Sequence, residues 1–151
     1  MAENTPPYEG TTELKPRFVT AKLIIGIISM VLFVIVAFQS CVAGLGNIFV
    51  DNGESSGAFG ILVALNLLIT GIIAVAARKS VSKVPWIIAA ILLWLNYLFA
   101  KLFSGSYKDL VIWGFISFAI GVFYLFSSVR TAKGYIIVGI ISVVYLVIAL
   151  I

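Results

Sequence analysis

Gln39, Asn66 and Asn96 are the side chains best placed to do chemistry in this chain, because each interrupts a long apolar run. A carboxamide offers an oxygen that accepts hydrogen bonds and an NH2 group that donates two. Where water is excluded, such groups either bond to one another or lend oxygens that replace part of a cation's hydration shell. Counted back from the sparsely charged ends of their runs at 1.5 Å per residue, all three lie at a depth of roughly 9–13 Å. A shared depth predicts an intramembrane polar cluster that hydrogen-bonds across three helices and sets their register, each bond worth about 0.6–2 kcal/mol. A polar site for an ion or solute is the competing reading.

Other chemistries lack their residues. Histidine is absent, which removes the commonest general base, proton shuttle and metal ligand together. The single cysteine, Cys41, allows no disulfide within the chain. No Asp, Glu, Arg or Lys lies well inside an apolar run, and Lys101 sits near an end where it can snorkel. Serine–lysine pairs fall in different layers, and phosphate-loop, dinucleotide and zinc motifs are missing. Asp51, Asn52 and Glu54 bring hard oxygens together, but they fall short of the roughly six to eight that Ca²⁺ takes, and a solvated turn is expected there. The reading is therefore of a non-enzymatic protein with no catalytic residues, no metal and no cofactor.

The elements that must hold these amides are five apolar runs, roughly Leu23–Leu45, Ala58–Ala77, Pro85–Phe103, Leu110–Val129 and Tyr135–Ile151. Each is close to the ~20 residues a helix needs to cross a ~30 Å hydrocarbon layer. Of the 151 residues 62% are hydrophobic and 11% charged, too little polar surface for a soluble fold of this size. Lys15, Arg17 and Lys22 precede the first run, Arg78, Lys79 and Lys83 separate the second from the third, and Arg130 and Lys133 separate the fourth from the fifth. The alternate connections carry only Lys101 and Lys108. This asymmetry predicts an all-α, polytopic transmembrane helix bundle of five spans in the cell membrane, with its N-terminus cytoplasmic and its C-terminus outside. Those eight cations act as topology determinants, so the net charge of +4 is no nucleic-acid signal. Residues 1–20, polar and holding Pro6, Pro7 and Pro16, read as a mobile cytoplasmic tail, and residues 21–151 as the transmembrane domain.

Small residues recur at helical spacing: Ser40 with Gly44, Ser56 with Gly60 and Ala64, and Ser117 with Gly121. Such faces let helix backbones approach closely, inside the bundle by default or between copies in a homo-oligomer. Gly26–Phe38 matches Gly139–Ile151 at seven of thirteen positions, with Thr-Ala-Lys ahead of both, so the first and fifth spans read as a parallel repeat. Cys41 follows basic residues and an apolar stretch, as in a bacterial lipoprotein signal. Cleavage and lipidation there would leave four spans, but Phe38 and Gln39 depart from that pattern.

The stretch Lys22–Asn47, with Gly26-Ile27-Ile28-Ser29, Phe38-Gln39-Ser40-Cys41, Ala43-Gly44 and Gly46-Asn47, resembles small uncharacterised multi-pass membrane proteins of Gram-positive bacteria and their prophages. Asn52-Gly53-Glu54, Ser56-Gly57 and Gly71 ahead of Arg78-Lys79-Ser80 add to the likeness, which covers about the first half of the chain. It implies a bacterial cell membrane and no activity. Two functions fit: interaction with another membrane component through helix faces or the outer turn, or a small oligomeric transporter or channel with an amide-lined path. The lack of intramembrane charge weakens coupled transport, which uses Asp, Glu or His relays. The expected partners are the lipid bilayer and either a membrane protein or a second copy of the chain, with no nucleic acid.

Overall fold

A computed structural model describes residues 15–50, 54–105 and 107–151. Most of the expected tail (1–14) and the turn residues Asp51 and Asn52 lie outside the described residues. All regular structure among the described residues is helical: α1 (Val19–Val50), α2 (Ser56–Ala76), α3 (Val84–Phe103), α4 (Asp109–Ser128) and α5 (Ala132–Leu150). Each helix is long and apolar enough to cross a membrane. Pro85 enters α3 in its first turn, where its missing N–H is no loss. Thr131 caps α5 by accepting the Gly134 N–H at 3.2 Å. At the other polarity, the Arg78 guanidinium donates to the Val75 carbonyl at 2.6 Å and closes the last turn of α2.

Two antiparallel hairpins make the bundle. In α2 the buried Gly57, Gly60, Ala64, Leu67, Gly71 and Ala74 alternate three and four residues apart, the period of a coiled-coil seam. Lys22, Gly26, Ser29, Val36 and Ser40 keep the same phase on α1. Packing along this seam is backbone against backbone: a Cβ added at Gly71 would lie 2.8 Å from the Gly26 carbonyl oxygen. In the second hairpin, Trp86, Ala90, Leu93, Tyr97 and Ala100 of α3 face Leu110, Gly114, Ser117, Gly121 and Tyr124 of α4, all of them buried. Between the hairpins lies one apolar core that includes Val36, Val63, Leu67, Trp86, Leu93, Leu110 and Tyr124.

Hydroxyls line these seams without needing a partner on another helix. Ser29, Ser40, Thr70, Ser117 and Ser142 each donate to the carbonyl four residues back, at 2.6–2.9 Å. A serine tied off in this way packs nearly as compactly as alanine, which suits a close helix crossing.

α5 stands apart, with only Val138, Ser142 and Ala149 buried. It is held by Tyr145, whose ring stacks on Phe118 at 5.6 Å and whose hydroxyl donates to the Trp94 carbonyl. The expected repeat therefore joins helices in different surroundings. Gly26 is pressed against Gly71 and Ala74, whereas nothing lies within 4 Å of a Cβ placed on Gly139.

The first helix differs most from the expected run. It starts at Val19 and not at residue 23, which puts Lys22 inside the helix and nearly inaccessible, at 2% exposure. Its far end moves from residue 45 to Val50, and the limits of the other four runs move by three residues or fewer. With 32 residues, α1 would be about 48 Å long, more than a ~30 Å layer requires, so it tilts or projects beyond its neighbours. Ile48, Phe49 and Val50 at its far end are well exposed.

Candidate functional site in the polar layer

The amides divide into two connected groups. Asn96, wholly buried on α3, sits at the centre of the first. Its oxygen accepts from the Asn66 amide of α2 at 2.7 Å. Its own NH2 donates to the Val63 carbonyl of α2 at 3.2 Å and to Ser117 Oγ of α4 at 3.3 Å. Both donors and an acceptor lone pair of Asn96 are thus engaged, and three helices are tied at one level. The bundle can bury this amide because its hydrogen-bonding capacity is met there.

Equal depth predicts that Gln39 of α1 joins Asn66 and Asn96, and it does not. Its oxygen accepts instead from the Trp113 indole at 2.7 Å and from the Tyr107 hydroxyl at 3.1 Å. The physical reason is lateral. Where α1 passes α2, Ser40, Gly57 and Gly60 close the seam, so Gln39, one residue along, points toward α4. The two groups meet on α4, since Ser117 bonds the Trp113 carbonyl at 2.9 Å. Burial pushes the Tyr107 phenol up from its usual range, and the nearby Asp109 carboxylate adds to this while hydrogen bonding opposes it. The phenol therefore stays protonated as a donor to Gln39 at neutral pH.

The small-residue faces also have definite neighbours. Ser40 and Gly44 meet Gly57 and Gly60, while Ser56 and Ala64 are buried on the same helix. The Ser56 hydroxyl accepts from Asn47 at 3.0 Å across the α1–α2 turn. Ser117 touches Asn96, and Gly121 lies under the Trp94 indole. Gly26, Gly57, Gly71 and Gly114 have equally close approaches, yet pairs spaced four apart do not reveal them; the alternating three–four phase does. Trp113 and Tyr107 are aromatic types common at a membrane interface, and the fold makes both of them donors to Gln39.

Two of the clefts on the described surface adjoin residues of these groups and seams. One, of about 300 Å³, is lined by Phe38, Gln39, Val42, Ala43, Tyr107 and Asp109. The other, of about 470 Å³, follows the α1–α2 seam past Ser40, Cys41, Gly44 and Gly57. Neither Asn66 nor Asn96 lines either cleft. Cys41 is exposed on α1, within a continuous helix that runs on to Val50.

Eight cations, Lys15, Arg17, Lys22, Arg78, Lys79, Lys83, Arg130 and Lys133, lie at the end of the bundle where α1, α3 and α5 begin. Lys101 and Lys108 lie at the other end, with Glu54 and Asp109. Compared with known proteins, the chain matches no family, no curated protein and no solved structure.

Proposed function

We propose that this is a non-enzymatic integral protein of the cell membrane that acts by binding another membrane component, through the helix faces its own packing leaves open. The observation that carries this reading is how the intramembrane polar groups are used. Asn66, Asn96 and Ser117 bond to one another and to backbone, and no charged side chain accompanies them. Such a layer sets helix register and offers no ladder of vacant oxygens for a solute to follow. The small-residue faces are likewise engaged within the chain, and α5 and α1 are the helices least covered by it. Ile136, Ile140, Val143, Val147 and Ile148 present an almost unbroken apolar side of α5. By the positive-inside rule the basic end is cytoplasmic, so α5 runs outward from the cytoplasmic face.

The test uses the purified full-length protein. Mild-detergent capture from its native membrane is expected to recover a stoichiometric membrane partner, and Ile140→Ser with Val147→Ser on α5 to reduce that recovery several-fold. Solute flux through liposomes containing this protein alone would overturn the reading and favour the transporter.

A further inference from the structure

The basic end of the bundle carries, among the described residues, no carboxylate to balance its eight cations. Backbone contacts draw three of them, Lys15, Arg17 and Arg130, to one corner. The Arg130 guanidinium donates to the Lys15 carbonyl at 2.8 Å, and Arg17 donates to the Val129 carbonyl at 3.4 Å. These bonds strap the segment before α1 onto the α4–α5 connection and hold two arginines near each other despite their like charge. Beneath them lies Lys22, its ammonium 3.8 Å from the centre of the Trp86 ring. Lys22 has no hydrogen-bond acceptor among the described residues, and Arg130 is within its electrostatic reach. Facing only an indole, the ammonium has donors to spare for an acceptor entering the corner.

The start of α1 has the same unmet character. Phe18 occupies the N-cap, its carbonyl taking the Lys22 N–H at 2.8 Å, and its side chain has no oxygen for the first-turn N–H groups. Phe18 also adopts φ +55°, a left-handed conformation that a bulky residue enters only when its surroundings impose it. Its ring packs edge-on to Phe123 at 6.3 Å and sits 5.2 Å from the Arg17 guanidinium carbon. That backbone twist turns Arg17 back over the corner. Cations from α1, its entry segment and the α4–α5 connection, together with an uncapped helix start, form a site with no anion among the described residues.

We propose that Arg17, Lys22, Arg130 and the open first turn of α1 bind a phosphate group, of the kind an anionic phospholipid headgroup presents at the membrane surface. Arginine supplies forked donors that suit phosphate oxygens, and Lys22 adds a point charge from below. The level is right for a headgroup, because the corner lies where the helices leave the apolar layer. This inference needs the membrane placement only, and its failure would leave the partner reading untouched.

Native mass spectrometry of the full chain from mixed micelles containing phosphatidylglycerol or phosphatidylcholine tests it. Phosphatidylglycerol is expected to be retained over phosphatidylcholine, and Arg17→Gln with Arg130→Gln to weaken that retention by about tenfold or more. Lys79→Gln with Lys83→Gln removes the same charge from the other connection at this end, and is expected to change retention by less than about twofold. Arg17→Lys with Arg130→Lys keeps the charge and is expected to restore most of the binding, and Arg130→Gln alone serves if the double glutamine variant does not fold. Displacement by inorganic phosphate would assign the corner to the bare anion, and resistance to it would assign the lipid; both support a phosphate site. Equal losses from the two pairs, or equal retention of the two lipids, would overturn it.

Discussion

Gly57→Val is expected to force α1 from α2 and to destabilise the bundle by about 1–3 kcal/mol or more, read as thermal unfolding in detergent. A Cβ at residue 57 would lie 2.5 Å from the Gly44 nitrogen and 2.9 Å from the Ser40 carbonyl oxygen. Both are backbone atoms, so no rotamer change relieves the contact and the helices themselves must move. Separation would also loosen Gly60 and Ser40, which adjoin along the same seam. Gly46→Ala and Gly139→Ala are the controls, since nothing lies within 4 Å of a Cβ at either. Those two are expected to be neutral or to stabilise by up to about 1 kcal/mol, because alanine is the better helix former. If Gly57→Val unfolds at the same temperature as the controls, the α1–α2 seam is not as described.

Asn96→Leu is expected to cost about 1–3 kcal/mol, because it removes three hydrogen bonds and leaves the Asn66 amide without its acceptor. Asn66→Leu removes one of those bonds and is expected to cost less, about 0.6–2 kcal/mol. The double substitution should cost less than the sum of the two and no more than Asn96→Leu alone, since both variants lose the same bond and the double also removes the orphaned Asn66 amide. Ser117 keeps its bond to the Trp113 carbonyl in every variant, so a second orphaned group is avoided. Unchanged stability in the double variant would contradict the structural role of the layer and return the amides to the polar-path reading.

The five helices were legible in the sequence because a span is set by length and apolarity alone, and neither depends on neighbours. Helix ends were less legible. Lys22 marks a boundary by charge, but the helix runs back to Val19 because the fold gives the lysine an indole to rest on. Depth along each helix was also readable, at 1.5 Å per residue, and Asn66 and Asn96 do meet. Rotation about the helix axis was not. Gln39 shares their depth yet turns to Trp113 and Tyr107, because the direction of a side chain follows from the seam its helix makes with others. The seams were partly visible as small residues four apart. Their alternating phase, which brings in Gly26, Gly57 and Gly71, emerges only when three- and four-residue steps are followed together. The strap at Arg17 and Arg130 joins residues at opposite ends of the chain, and no local pattern announces it.

The proposed placement, five crossings with the eight-cation end in the cytoplasm, is tested most directly by cysteine accessibility in intact cells. In a Cys41→Ser background, Glu54→Cys and Ser80→Cys place single thiols beside the α1–α2 and α2–α3 connections, at opposite ends of α2. A membrane-impermeant maleimide added outside is expected to label position 54 in intact cells and position 80 only after the membrane is opened. Labelling of position 80 in intact cells, or of both positions alike, would contradict the orientation.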